Sequence, residues 1–352
     1  MTMTRSYPAH AHPLWRRVLM TREVAVIALL VVVVLWASAT IPNFSGPLTF
    51  PFLILDSAPI LLIALPMTLV IVTGEIDLSV ASVVGLSSVL VGMLHQDGMS
   101  IPLAGLIALV VGVLCGLLNG FLVAYVGLPS LAVTIGTLAL YRGVAVGLLG
   151  TTAVTDFPFR WTNLIQQGFA GGRLPFVLVP IVVLAVVFAA LLHFTSFGRG
   201  LFDIGLNAEA AHFSGVNVAR TKLTVFVLAG AVSAFAGVYY TLRYGSARGD
   251  NATGLELQVI AAVLLGGVSI FGGRGALHGV LGGVLLIAVI SSALRLENVT
   301  VNVINIIIGL LLVLSVMSTS LLGWASKMRR GAGVRGDHAR PQKRRVTSSP
   351  LQ

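Results

Sequence analysis

The stretch GRGLFDIGLNAEAAHFSG, Gly198–Gly215, decides how this chain is organised: it is a compact polar block set between two long apolar stretches. Asn207 is a good N-cap, and Glu209 falls in the first turn, where a carboxylate complements the positive end of the helix dipole. Ala208, Ala210 and Ala211 favour helix, and Gly215 is a natural stop after Ser214. The block therefore predicts a helix of about two turns, roughly 10 Å long. So short a helix is unstable alone in water. It must lie against something: Phe213 and the alanines offer a small apolar face to a partner's groove, and the competing reading is an ordinary loop resting on its own bundle.

Outward from the block, almost everything is membrane-like. The 352 residues are 57% hydrophobic and 10% charged, against about 25% charged in an average soluble chain. Apolar runs repeatedly reach the roughly 20 residues that cross a bilayer as helix. The 39 glycines are spread through those runs, which suits close packing of helices and not a barrel of alternating strands. The fold class is an all-α polytopic membrane protein of about ten transmembrane helices, near 24–41, 51–72, 78–94, 102–126, 130–149, 175–194, 222–242, 257–271, 276–293 and 301–323. The eighth is short and runs into Gly272-Gly273-Arg274-Gly275, as a re-entrant or broken helix would. Three regions result: an N-terminal segment 1–23, a transmembrane domain 24–323 with its longest polar loop at 195–221, and a basic tail 324–352 expected to be disordered.

The net charge of +10 is concentrated at the two ends. Arg5, Arg16, Arg17 and Arg22 precede the first apolar run, eight Lys and Arg residues between Lys327 and Arg345 follow the last, and no Lys or Arg lies between Arg22 and Arg142. That is the positive-inside pattern and not a nucleic-acid footprint. Both termini and the polar block are expected to be cytoplasmic, with 42–50, 95–101 and 150–174 outside. The first run is followed by Ile41-Pro42-Asn43 without a small-x-small cleavage site, so it is expected to remain as the first span. The single Cys115 excludes a disulfide framework and a cysteine metal site, and no His or carboxylate spacing makes a metal site. No catalytic constellation has a plausible setting. The three lysines, Lys222, Lys327 and Lys343, stand outside any G-x-x-x-x-G-K-[ST] loop, so this chain holds no ATP phosphates by that means.

Three motifs carry a resemblance. Asn207-Ala208-Glu209-Ala210-Ala211 with Ser214-Gly215-Val216 resembles the cytoplasmic segment through which ribose-type permease subunits of bacterial ABC importers couple to their ATPase. Thr73-Gly74-Glu75-Ile76-Asp77-Leu78-Ser79-Val80 is similar to that family's "TGGIDLSVG", with Glu75 where glycine is frequent and Ala81 where a glycine is usual. Leu265-Gly266-Gly267-Val268-Ser269-Ile270-Phe271-Gly272-Gly273-Arg274-Gly275 resembles its "LGGxSxxGGxG". The likeness runs from about 50 to 320 and looks closest to permeases of autoinducer-2 and rhamnose importers.

The resemblance implies a permease subunit in the bacterial inner membrane, importing a sugar or sugar-like molecule such as autoinducer-2, rhamnose or ribose. It implies no cofactor in this chain. ATP and magnesium would sit on a separate ATPase subunit, beside an extracytoplasmic sugar-binding protein and a second permease subunit. The alternative is an ion-coupled secondary transporter, which needs a buried acid in mid-span; Asp56 is the candidate. Glu75 and Asp77 are expected at the interface as caps of the third helix, with a gating role or proton coupling as the alternatives. Asn119, Thr134, Thr137, Tyr141 and Arg142 are expected to make interhelical bonds or anchors.

Overall fold

The computed structural model describes residues 22–314 and 317. The segment before Arg22, the end of the last span and the basic tail read at 324–352 lie outside the described residues. Ten apolar helices follow one another: α1 (Arg22–Thr40), α2 (Thr49–Val72), α3 (Val80–Gln96), α4 (Ile101–Ala124), α5 (Ser130–Leu149), α7 (Leu178–Phe194), α10 (Val218–Tyr244), α11 (Leu255–Leu265), α12 (Leu277–Leu296) and α13 (Val301–Leu314). Between them lie α6 (Phe159–Gln166), α8 (Ser196–Leu206) and α9 (Ala208–Phe213). Strand is confined, among the described residues, to Leu174–Pro175.

The expected count of about ten agrees with this order, although the helices are unequal. Six are long and apolar enough to cross a membrane alone, α7 with the bent α8 makes a seventh, and α3, α11 and α13 are shorter. The eighth helix, expected over 257–271, ends at Leu265 after 11 residues. It stops where Gly267 turns left-handed (φ +97°), and Gly266 lets the backbone close on α12: a Cβ there would stand 2.5 Å from Val280 Cα.

Helix α2 is the axle of the bundle. Nearly every residue from Ile54 to Val72 is buried, against α10, α11, α12 and α7. Its Pro59 and Pro66 each remove a backbone donor, and Ser57 and Thr68 hydroxyls donate to the Leu53 and Ala64 carbonyls in the same stretches. On one side α4 meets α10 through small residues: Cβ atoms on Gly112, Gly116 or Gly230 would lie 2.2–2.3 Å from atoms of the facing helix. Without a hydrophobic driving force in lipid, such backbone-to-backbone approach supplies the packing attraction.

Polar side chains expected between helices are largely found there. Asn119 donates to Ser79 (2.8 Å), Thr134 to the Ile76 carbonyl (3.1 Å), and the Tyr141 hydroxyl to the Cys115 carbonyl (3.0 Å). Thr137 instead bonds back to Val133 within α5. Arg142 donates to the Gly249 and Asn251 carbonyls at 2.8 and 2.6 Å, tying α5 to the loop after α10.

Candidate coupling site

The polar block is more ordered than a loop with one short helix. Thr195 ends α7 and caps α8 by accepting from the Gly198 amide (3.0 Å), and the two helices bend by 67°. Helix α8 was missing from the sequence reading. Its glycines Gly198, Gly200 and Gly205 depress intrinsic helicity, yet Gly198, Gly200, Leu201 and Ile204 pack inward, and tertiary contact outweighs propensity. Asn207 then closes α8 and opens α9, its side chain accepting from the Ala210 amide at 2.9 Å. Ser214 donates to the Ala210 carbonyl, Gly215 turns the chain with φ +88°, and Asn217 caps α10 through the Arg220 amide.

In α9, six residues long, only Ala211 faces the chain's own bundle; Ala208, Glu209, Ala210, His212 and Phe213 are exposed. Phe213 is 82% exposed.

Two of the sequence motifs, the TGEIDLSV and LGGVSIFGGRG segments, meet against α8, the helix that leads into α9. The Gly273 amide donates to the Val72 carbonyl (2.9 Å), joining the glycine turn after α11 to the end of α2. Gly205 of α8 presses on the same junction: a Cβ there would stand 2.0 Å from the Val72 oxygen and 2.3 Å from the Gly273 nitrogen. A Cβ on Gly272 (φ +80°) would lie 2.8 Å from the Gly74 nitrogen and 3.0 Å from Gly205 Cα. Gly74, Gly205, Gly272 and Gly273 thus form one backbone-to-backbone knot. Gly266 and Gly267 stand apart from it, where α11 meets α12 and Glu23 of α1. Ser269 shapes the turn, its amide donating to the Arg274 carbonyl and its carbonyl accepting from Gly272.

Phe271, in that turn, is 78% exposed, and Leu206, whose side chain packs on Gly273, is 67% exposed. Neither stood out in the sequence. A bulky apolar residue between glycine turns on the wetted side of a span was the available signal.

The acidic pair divides. Glu75 is not a cap: its carboxylate pairs with the Lys222 ammonium at the start of α10, both side chains mostly covered. Asp77 is buried, and its Oδ1 accepts from the Ser79 amide (2.9 Å) and hydroxyl (2.7 Å) just before α3, as a cap of that helix would. Burial pushes the Asp77 carboxyl up to about 6, while the two Ser79 bonds pull it back. Asp56 is likewise no free acid, since it accepts from Arg243 (3.0 Å) and Arg295 (3.5 Å). Among the described residues no three His, Cys, Asp or Glu side chains are grouped to hold a metal ion.

With this geometry established, a protein-family model described as "Branched-chain amino acid transport system / permease component" matches residues 50–316. The chain belongs to that permease family. It is the membrane-spanning, multi-pass subunit of an ABC import system and not itself a catalytic enzyme. Among its relatives is the autoinducer 2 import system permease protein LsrD of Salmonella paratyphi A, 34% identical over 328 residues, which are 90% of this chain and 98% of the relative. The permease of the same name from Yersinia enterocolitica is 37% identical over 266 residues, 74% of this chain and 80% of the relative. That of Escherichia coli O157:H7 is 35% identical over 305 residues, 85% and 92% respectively. No solved structure gives a significant match.

Proposed function

We propose that this permease imports autoinducer 2 or a closely related sugar-like molecule, driven by ATP hydrolysed with magnesium on a separate ATPase subunit that docks on α9. The permeases named for autoinducer 2 align with 74–90% of this chain, which supports that substrate over rhamnose or ribose. The observation that carries the coupling is the knot of Gly74, Gly205, Gly272 and Gly273. Force applied to α9 passes through the six-residue helix and α8 into the end of α2, the most buried helix, with no flexible loop between. Exposed Phe213, Leu206 and Phe271 give a partner apolar anchors around it. ATP-driven closure of the partner would then rock the bundle as a rigid body and alternate access across the membrane. An extracytoplasmic binding protein delivering substrate and a second permease subunit, identical or related, complete the assembly. The basic termini orient α9 toward the cytoplasm.

The test is Ala210→Arg, on the exposed face of α9. An unpaired guanidinium in the docking groove carries a desolvation penalty of about several kcal/mol. Co-purification with the ATPase subunit and ATP-dependent uptake should both be lost while membrane insertion is unchanged. Normal uptake by this variant returns α9 to a plain connecting helix.

A further inference from the structure

At the end of the bundle opposite the glycine knot, a cavity of about 630 Å3 opens among α2, α10, α11, α12 and α13. We propose that it is a substrate-holding site for a small, neutral, hydroxyl-rich molecule entering the permease. The inference rests on the importer reading above and goes beyond it by placing the substrate within one chain.

Its volume falls in the range of about 300–1,000 Å3 typical of small-molecule pockets. Asp56 lines it seven residues into α2, roughly 10 Å below the helix start. Ionisable groups at membrane depth mark cavities and substrate pathways, because lipid gives their charge no compensation. Here Asp56 is held by Arg243 and Arg295, so its charge is paired at the cavity wall.

The rest of the wall specifies the ligand. Tyr240 and Tyr244 stand 4.5 Å apart between ring centroids and offer apolar faces suited to the C–H surface of a sugar-like ring. Asn251, Gln258, Ser292 and Asn305 supply amide and hydroxyl groups that both donate and accept, as vicinal hydroxyls require. The lining acids Asp56 and Asp250 are matched by the lining guanidiniums of Arg295 and Arg248. The wall therefore selects for hydrogen bonding and not for ligand charge.

The experiment uses the full chain in intact cells, assembled with its partners. Ser292→Cys places a thiol in the cavity wall, and the native Cys115 is buried elsewhere. An impermeant maleimide added outside should label Ser292→Cys and leave the unaltered chain unlabelled. Autoinducer 2, D-ribose and L-rhamnose are the uncharged probes, with the zwitterion L-leucine and the anion gluconate as ionic controls. At least one neutral probe should slow labelling several-fold, and neither control should. Absence of labelling from outside, labelling that no neutral probe slows, or protection by leucine or gluconate instead overturns the proposal. Should Ser292→Cys fail to insert, Asn305→Cys on α13 reports from the facing wall. ATP-dependent uptake is measured in parallel on the unaltered complex. Uptake without probe protection removes this site alone, whereas protection without ATP-dependent uptake removes the importer reading and leaves the site standing.

Discussion

Glu75 and Lys222 lie 147 positions apart in sequence, yet they are the ion pair that joins the turn after α2 to the root of α10. Only 14% of the Glu75 and 18% of the Lys222 side chain is exposed, so the pair is screened much less than one on a wetted surface. Removing either partner leaves the other charge largely buried and alone. A double-mutant cycle with Glu75→Gln and Lys222→Gln should return a coupling energy within the roughly 0.5–3 kcal/mol seen for residues in contact. A value above about 1 kcal/mol would exceed the helix-dipole contribution of about 0.3–1 kcal/mol expected had Glu75 been a cap. The exchanged pair, Glu75→Lys with Lys222→Glu, should recover most of the uptake lost in the single variants. A proton carrier behaves otherwise, because a lysine in place of Glu75 cannot reproduce the acid's proton cycle. A coupling energy near zero would count against the bridge, and failure of the exchanged pair with insertion intact would reopen a role for the acid itself.

At the scale of elements, α8 matters more than its length suggests. Overpacking a close-packed site is destabilising by about 1–3 kcal/mol or more, and a Cβ on Gly205 has only backbone atoms of Val72 and Gly273 to displace. Gly205→Ala should therefore lower thermal stability in detergent and weaken uptake, while Glu209→Ala, on the exposed side of α9, should leave stability within about 0.5 kcal/mol. Equal melting temperatures for Gly205→Ala and the unaltered chain would dissolve the knot as a rigid link. The neighbouring α9 was legible in the sequence because its signals are local: Asn207 reads as a cap whatever surrounds it. Helix α8 was not, since its three glycines argue against helix until the surfaces that need them small are known. The early stop of α11 lies at Gly267, which takes the left-handed conformation that glycine adopts freely (φ +97°), and one glycine among many in apolar runs does not announce that choice in sequence. Glu75 was misread for a related reason. Its partner is remote in sequence, and an acid before a helix reads locally as a cap.

Taken whole, the molecule is a bundle with two unlike ends: α9 and the glycine knot at one, the polar cavity and the α6 segment at the other. The apolar pattern made the ten helices readable, because each run is set by composition alone. Which end faces the cytoplasm rests on the basic termini, and that orientation is open to a direct measurement. Gly205 is unsuitable as a labelling position, since its site has no room for a side chain. Glu209 and Gln166 are both exposed, on α9 and at the end of α6. In a cell with its outer surface accessible to an impermeant thiol reagent, Gln166→Cys should react at once. Glu209→Cys should react only after the membrane is permeabilised. The buried Cys115 gives a low background in both. Between Gln166 and α9 the one candidate span is the bent pair of α7 and α8, so Gln166 and Glu209 must lie on opposite sides if that pair crosses. Reaction of both from outside would mean that α7 and α8 form a re-entrant hairpin instead. The ATPase would then have no access to α9, and the coupling proposal would fall with it.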